Sequence, residues 1–184
     1  MNILVLGGGG REQAIAWACR RHGHDVIIAA ELPPSDGPQY DLVIPGPEAL
    51  LVDGVADECA RRGVACFGPT AALARLEASK GWARDLAAEL GIPGPRFARF
   101  DGDAAAAQKW AAALDGDVVV KLDGLAGGKG VTVPESADEL AAAIDGAASA
   151  GAFVVEERMS GPEVSLLALC DGHRTLALPL AQDH

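Results

Sequence analysis

The sequence predicts an α/β fold in which a parallel, doubly wound N-terminal domain precedes a second domain of α+β type. Two observations lead to this prediction. Short apolar strands alternate with helical segments across residues 3–67, as in a parallel sheet covered on both faces. From residue 118 onward, strands follow one another across short loops, including the turn signal Asp171-Gly172, as in antiparallel sheets. We place the first domain at residues 1–75 and the second at residues 76–184.

Each element follows from its local pattern. Aliphatic, β-branched runs bounded by turn residues indicate strands, and apolar residues at i, i+4 spacing indicate helices. Residues 31–39 contain three prolines and are expected to form a loop. The expected strands are 3–6, 25–30, 40–44, 64–67, 118–122, 130–133, 153–158, 164–170 and 175–180. The expected helices are 11–20, 50–62, 71–76, 80–90, 104–113 and 137–148.

The composition excludes several classes of function. The chain has 184 residues, 49% of them hydrophobic, and a formal net charge of −11. This acidity argues against nucleic acid or an anionic membrane as a partner. No apolar run has the length of a membrane span, and the first strand has no basic leader before it, so we expect a cytoplasmic protein. The four cysteines lack metal or redox spacing and are expected to be reduced thiols.

The most informative segment is a glycine-rich loop after an apolar strand. Lys121 ends the strand, and Lys129 lies within the loop that follows. Glycines let backbone N–H groups approach an anion closely, and two ammonium groups suit a polyphosphate. The segment therefore predicts a nucleoside triphosphate site. Lys80 is a further candidate, although a solvated helical lysine is the usual alternative.

An acidic segment after the strand near residue 155 indicates a nucleoside clamp. Glu156 and Glu157 end this strand, and Met159 and Glu163 follow in a turn. A carboxylate or backbone carbonyl can accept from the adenine amine, and a carboxylate can bridge the ribose hydroxyls. The alternative is a charged strand end with no ligand.

The first glycine run favours a phosphorylated substrate. Gly9 and Gly10 open a helix, whose N–H groups can hold a phosphate, and Arg11 adds a cation. A dinucleotide fingerprint requires glycine where Glu12 stands, which disfavours that alternative. A tight turn without ligand is the other alternative. Glu48 follows Pro-Gly-Pro at another strand end and is a further candidate.

Eight motifs in order together resemble the phosphoribosylamine–glycine ligases, which are ATP-grasp enzymes of purine synthesis. The motifs are Gly-Gly-Arg-Glu at 9–12, Gly-Pro-Glu-Ala at 46–49, Phe-Gly-Pro-Thr at 67–70, Leu-Glu-Ala-Ser-Lys at 76–80, Lys-Leu-Asp-Gly-Leu-Ala-Gly-Gly-Lys-Gly-Val at 121–131, Val-Glu-Glu at 155–157, Gly-Pro-Glu-Val-Ser at 161–165 and Gln-Asp-His at 182–184. The resemblance implies a pre-ATP-grasp domain at 1–75 and an incomplete ATP-grasp domain at 76–184. Its expected parts are hinge helices at 76–100, a nucleotide-clamping lid at about 101–165 and the start of the main sheet at 166–184.

The resemblance also implies roles for individual residues. Lys80 and Lys121 match lysines that contact ATP phosphates, and Glu163 matches the ribose carboxylate. The full set matched to ATP is Lys80, Lys121, Gly127, Gly128, Lys129, Gly130, Glu156, Glu157, Met159 and Glu163. The set matched to the phosphoribosylamine side is Gly9, Gly10, Arg11, Glu12 and Glu48.

The implied reaction joins glycine to 5-phosphoribosylamine and uses ATP with Mg²⁺. No catalytic residue is assigned within the chain, since such chemistry rests on electrostatics and positioning. The family continues for roughly as much chain again, and that part carries the metal ligands. We therefore expect an N-terminal portion that is inactive alone and lacks a C-terminal half.

Three departures from the family pattern leave alternatives open. The chain stops at Gln182-Asp183-His184, where the family continues. Residues 31–39 replace a longer segment. Gln13 and Arg84 stand where histidine and lysine are usual. The shortened segment favours another ATP-grasp ligase with a different acceptor. The missing metal ligands favour a non-catalytic nucleotide-binding fragment.

Overall fold

The computed structural model describes residues 1–125, 127 and 129–182. The first sheet has four parallel strands in the order β2-β1-β3-β4. Its strands are β1 (Asn2–Leu6), β2 (Asp25–Ala29), β3 (Leu42–Pro45) and β4 (Ala65–Cys66). Strand order reverses between β1 and β3, so the loops after these two strands flank the crevice where such sheets bind ligands.

Helices cover both faces of this sheet, which confirms the doubly wound prediction. Successive β1 residues point to opposite faces, since side chains alternate along a strand. Ile3 and Val5 pack with Ala16 of helix α1 (Gly10–Arg21). Leu4 and Leu6 pack on the other side with Cys59 of helix α3 (Val55–Arg61).

The structure has two helices where the sequence predicts a single helix at 50–62, so the prediction of one continuous helix is wrong. Helix α2 (Glu48–Val52) ends before Asp53, and α3 starts after Gly54. Gly54 has a φ of 89°, a left-handed conformation that glycine adopts readily and that interrupts a right-handed helix.

Two helices lead from the first sheet to the second. Helix α4 (Ala71–Ala78) is followed directly by helix α5 (Lys80–Glu89). Ser79 between them is extended, and its Oγ accepts a hydrogen bond of 3.1 Å from the Trp82 N–H. Serine favours this position because its side chain satisfies a free N–H at the helix start.

The second sheet has four strands, all antiparallel, in the order β5-β8-β6-β7. The strands are β5 (Phe97–Asp101), β6 (Val118–Leu122), β7 (Val131–Thr132) and β8 (Ala152–Glu157). One face packs on helices α6 (Ala104–Ala112) and α7 (Ala137–Ala150), with Val118, Val120, Ile144 and Phe153 buried between them. Helix α5 packs against the opposite face. The antiparallel pairing of β6 and β7 around the glycine loop is confirmed.

The last strands form a separate hairpin. Strands β9 (Ala168–Cys170) and β10 (Thr175–Ala177) pair antiparallel. Asp171 closes the turn, because its Oδ1 accepts from the N–H groups of His173 at 2.9 Å and Arg174 at 2.7 Å. Both strands are shorter than predicted, with an isolated bridge between Ser165 and Ala181 beyond them.

The hairpin exposes many leucines. Leu166, Leu176 and Leu180 are more than 60% exposed, so the hairpin has no hydrophobic face covered by the rest of the described chain. The domain limits at residues 75 and 76, and the finer hinge, lid and main-sheet ranges, stay predictions. Among the described residues, no helix is both long and apolar enough to cross a bilayer.

Candidate nucleotide and substrate sites

A buried ion cluster joins helix α5 to strands β6 and β8. Register pairs Val119 with Glu156, so Lys121 and Glu156 are diagonal neighbours on one face of the sheet. Lys121 Nζ donates to Glu156 Oε2 at 2.7 Å. Arg84 donates through Nε to Oε1 at 2.7 Å and through Nη2 to Oε2 at 2.9 Å. The Glu156 side chain is only 4% exposed.

The two cations determine the ionisation of Glu156. Burial alone raises the pKa of this carboxyl, but hydrogen bonds and charge from Arg84 and Lys121 outweigh burial and leave the pKa lowered. The same contact raises the pKa of Arg84. Glu156 is therefore a carboxylate at neutral pH, held by two cations.

Lys80 lies in the same region. It precedes Arg84 by one helical turn on α5, and its Nζ donates to the Gly124 carbonyl at 2.9 Å. A cavity of about 270 Å³ opens between α4, α5 and the sheet. Its lining residues are Leu76, Glu77, Lys80, Ala83, Arg84, Lys121, Val131 and Glu156. Three cations and two carboxylates therefore face one cavity, and this leaves a net positive charge suited to an anion.

Asp123 fixes the start of α5 against the end of β6. Its Oδ2 accepts from Ser79 Oγ at 3.1 Å, and its Oδ1 accepts from the Gly81 N–H at 3.3 Å. The Asp123 side chain is 10% exposed. A carboxylate near free N–H groups at a helix start is favourable. Asp123 thereby positions Lys80 beside the glycine loop.

Sequence reasoning missed Arg84 and Asp123 as site residues. The signal for Arg84 is its i, i+4 spacing from Lys80, which places both side chains on one helix face. The signal for Asp123 is its position directly after β6, within the motif that contains Lys121. The contact of Asp123 with Ser79 spans 44 residues, and no local pattern predicts a partner so distant.

Among the described residues, the others matched to ATP do not line this cavity. Lys129 and Gly130 line a second cavity of about 280 Å³ between the sheet and α7. Met159 is 70% exposed, and Glu163 is exposed as well. Their ATP contacts stay predictions.

Glu157, Gly127 and Gly128 complete the set matched to ATP. The Glu157 carboxylate accepts from Arg96 Nε at 3.1 Å and from Arg96 Nη2 at 3.0 Å, and this contact lowers the pKa of Glu157. Gly127 has a φ of 54°. Gly128 lies outside the described residues. Contacts of these three with ATP also stay predictions.

The five residues matched to the phosphoribosylamine side lie at the strand-order reversal of the first sheet. Glu12 Oε2 accepts from the Gly9 N–H at 2.6 Å, and its Oε1 accepts from Arg11 Nε at 2.9 Å. Arg11 Nη2 also lies 3.6 Å from Glu48 Oε2. The hydrogen bonds from Arg11 and then from Gly9 lower the pKa of Glu12.

Glu12 faces inward, whereas its neighbours face solvent. Its residue exposure is 3%, and a Cβ added at Gly46 would lie 2.0 Å from Glu12 Oε1. The side chains of Arg11 and Glu48 are 58% and 49% exposed. Glu12 thus joins the loops after β1 and β3, and Arg11 and Glu48 are the groups accessible to a ligand. Substrate contacts of this set stay predictions.

Comparison with known families decides the relationship. A family model described as "Phosphoribosylglycinamide synthetase, ATP-grasp (A) domain" matches residues 78–184, more than half of the chain. The chain belongs to the phosphoribosylglycinamide synthetase family. The model of the N domain of the same synthetase matches residues 35–77. The resemblance inferred from the eight motifs is confirmed.

Relatives of this synthetase family are similar over the whole chain. The phosphoribosylamine–glycine ligase of Mesorhizobium japonicum is 42% identical over 214 residues, which cover 100% of this chain and 50% of the relative. The ligase of Leifsonia xyli has the same identity and coverage. The chain therefore spans about half the length of these relatives. Because the alignments are longer than 184 residues, the relatives contain residues inside the aligned region that this chain lacks.

Solved structures support the same fold class. The crystal structure of phosphoribosylamine–glycine ligase from Thermotoga maritima has a TM-score of 0.76 at 27% identity and covers 98% of this chain and 49% of its own. An N5-carboxyaminoimidazole ribonucleotide synthetase in its ADP complex has a TM-score of 0.80 at 16% identity, with 100% and 54% coverage. The latter shows the fold alone. A pre-ATP-grasp domain followed by an incomplete ATP-grasp domain is confirmed.

Proposed function

We propose that this chain forms the ATP-clamping and amine-facing half of a phosphoribosylamine–glycine ligase. The observation that carries the proposal is the cavity shared by Lys80, Arg84, Lys121 and Glu156, at the end of the strand that leads into the glycine loop. The family match and the relatives identical at 42% support the choice of reaction.

The reaction requires two steps. The glycine carboxylate attacks the γ-phosphorus of ATP, so that an acyl phosphate forms and ADP leaves. The amine of 5-phosphoribosylamine then attacks the acyl carbon. Inorganic phosphate leaves, the amine loses a proton, and glycinamide ribonucleotide is the product. The free energy released when ATP is cleaved to ADP and phosphate thereby drives amide formation, without a protein nucleophile.

Charge and position supply the catalytic contribution of this chain. Lys80 and Lys121 lie on the cavity wall and are proposed to neutralise phosphate oxygens as charge develops on the transferring phosphoryl group. Glu156, Glu157 and Met159 are proposed to contact adenine, and Glu163 the ribose hydroxyls. Gly127, Gly128, Lys129 and Gly130 are proposed to cover the phosphates through backbone N–H groups.

Phosphoribosylamine is proposed to bind at the carboxyl end of the parallel sheet. The accessible groups there are Arg11, Glu48 and the first turn of α1 at Gly10. An anionic sugar phosphate suits the helix start and the guanidinium. The Glu12 carboxylate accepts the hydrogen bond of the Gly9 N–H. The proposed contribution of Glu12 is therefore to hold the loop that carries Gly10 and Arg11.

Magnesium and a second half complete the proposal. In residues 1–125, 127 and 129–182 no cluster of three metal-ligating side chains occurs. No step is therefore assigned to the ion within the described part of this chain. Mg²⁺ and glycine are proposed to bind to residues of a C-terminal half, which would also cover the exposed leucines of the β9–β10 hairpin. We propose a cytoplasmic location, in keeping with these small-molecule substrates.

A second candidate is an ATP-grasp ligase with a different amine acceptor. The observation in its favour is the short segment 31–39. Together with α3 it encloses a cavity of about 370 Å³, lined by Leu32, Tyr40 and Arg62 among others. The relatives contain additional residues in the aligned region. A non-catalytic nucleotide-binding fragment is the remaining alternative.

Complementation tests the proposed reaction. The chain is mixed with the C-terminal half of the Mesorhizobium japonicum ligase, and ADP release is followed with glycine and phosphoribosylamine. We expect turnover that depends on both substrates and on both halves, and no turnover from the chain alone. Turnover only with other amines would favour the second candidate. Glycine-dependent turnover by the chain alone would refute the proposed division of the site.

A further inference from the structure

Arg84 stands at a position that the motif-based assignment leaves without a role. Its guanidinium donates hydrogen bonds to both carboxylate oxygens of Glu156, whereas Lys121 donates to one of them. We propose that Arg84 is a positioning residue that neutralises Glu156, so that Lys121 keeps an uncompensated positive charge for a triphosphate. This inference rests on the proposed nucleotide site and deepens it.

The geometry makes Arg84 the principal partner of the carboxylate. The two guanidinium hydrogen bonds are 2.7 and 2.9 Å long and address separate oxygens, which is the bidentate arrangement that guanidinium favours. Lys121 donates once, at 2.7 Å. An ammonium group has three donors, so two of them are not engaged by Glu156. The free donors and the free charge of Lys121 are then available to phosphate oxygens.

The balance of charge around the cavity depends on Arg84. The charged groups that face Glu156 and its cavity are Glu77 from α4, Lys80 and Arg84 from α5, and Lys121 from β6. Without Arg84, two lysines face two carboxylates, and the net positive charge is lost. Lys121 then becomes the only close cation of a carboxylate that is 4% exposed, and a phosphate must compete with that carboxylate for it.

The first experiment measures anion affinity in the 184-residue chain. Calorimetry with inorganic tripolyphosphate and with ATP is applied to the wild type, Arg84→Met and the double variant Arg84→Met/Glu156→Gln. We expect Arg84→Met to weaken binding of both probes by about tenfold or more. We expect the double variant to recover most of that loss for tripolyphosphate, because the competing carboxylate charge is gone.

The matched control is Arg20→Met. Arg20 is also an arginine with a hydrogen-bonded partner, the Val26 carbonyl at 2.8 Å, but it lies in the first domain and lines neither the nucleotide cavity nor the cavity beside residues 31–39. We expect it to leave affinity for both probes unchanged. An Arg84→Met affinity equal to wild type, or a loss that the double variant does not recover, would overturn the inference, since a packing role predicts no rescue by removing a charge.

The second experiment needs no nucleotide. The depressed pKa of Glu156 adds stability above the unfolded pKa of about 4.3, and this stability is lost as pH falls through the folded pKa. Without Arg84 the folded pKa rises. The difference in thermal midpoint between wild type and Arg84→Met should therefore shrink from about pH 7 to about pH 4.

The Glu156→Gln background is the reference for this titration. In it, the effect of Arg84→Met on the thermal midpoint should not depend on pH. If the difference in thermal midpoint between wild type and Arg84→Met does not change with pH, the neutralising role of Arg84 is overturned. If this difference changes as expected but the wild type binds neither probe, the proposed nucleotide function fails, and with it the phosphate part of the inference.

Discussion

Asp123, Ser79 and Lys80 show how single residues from distant parts of the chain build the cavity. Asp123 accepts from Ser79 and from the Gly81 N–H, and Lys80 reaches the Gly124 carbonyl. The position of Lys121 at a strand end is predictable from the sequence, because lysine is unusual after an apolar run. The partners of Asp123 and Arg84 are not, because they depend on how α5 packs against the sheet.

Replacing Asp123 tests this positioning. Asp123→Ala should lower the free energy of unfolding by about 1–3 kcal/mol, because the Gly81 N–H loses its partner in a site shielded from water. Asp123→Asn should cost less, since one oxygen remains. Both should weaken ATP binding by releasing the start of α5, measured by denaturant unfolding and calorimetry.

The control is Asp145→Ala on the exposed face of α7. Asp145 accepts one hydrogen bond from Gln108 at 3.2 Å and should change stability by less than about 0.5 kcal/mol. An Asp123→Ala variant that matches this control in both stability and ATP affinity would show that Asp123 does not position Lys80.

At the level of elements, the order of apolar strands, helices and short loops in the sequence predicts both sheets. The exact ends and breaks of single elements are not predicted, because they depend on contacts in the folded chain. The parallel sheet follows from strands separated by helices, and the β9–β10 turn from Asp171-Gly172. The break at Gly54 is not predicted, because residues 50–62 have continuous helical character. The hairpin strands are shorter than predicted, although backbone pairing resumes beyond them at the Ser165–Ala181 bridge.

Gly46 tests the junction of the two loops at the reversal point of the first sheet. A Cβ at Gly46 would lie 2.0 Å from Glu12 Oε1. Gly46→Ala should therefore displace the Glu12 carboxylate and lower the free energy of unfolding by about 1–3 kcal/mol. Denaturant unfolding measures this cost.

Gly146→Ala serves as its control. A Cβ at Gly146, within α7, meets nothing within 4 Å. This change should stabilise the chain by about 0.5–1 kcal/mol, because alanine favours the helix interior. Equal effects of both glycine substitutions would contradict the account of the Gly46–Glu12 contact.

At the scale of the whole molecule, the β9–β10 hairpin carries leucines that the rest of the described chain does not cover. Leu176 and Leu180 are 63% and 69% exposed. A Leu176→Ser/Leu180→Ser variant should reduce fluorescence of a dye that binds apolar surface, and should change stability by less than about 0.5 kcal/mol. Leu4→Ala, at a fully buried position, should instead cost about 2–5 kcal/mol. Dye fluorescence that the serine variant leaves unaltered would place the exposed apolar surface elsewhere.

The central claim is that Lys80 and Lys121 act on one triphosphate. The most direct measurement is a calorimetric titration of ATP into the wild type, Lys80→Met, Lys121→Met and the double variant. We predict that the wild type binds with a dissociation constant weaker than about 1 µM, since a C-terminal half is proposed to form part of the site. We predict that each lysine substitution weakens binding and that the two effects are not additive, because both side chains contact the same ligand. ATP binding that neither substitution changes would contradict the account.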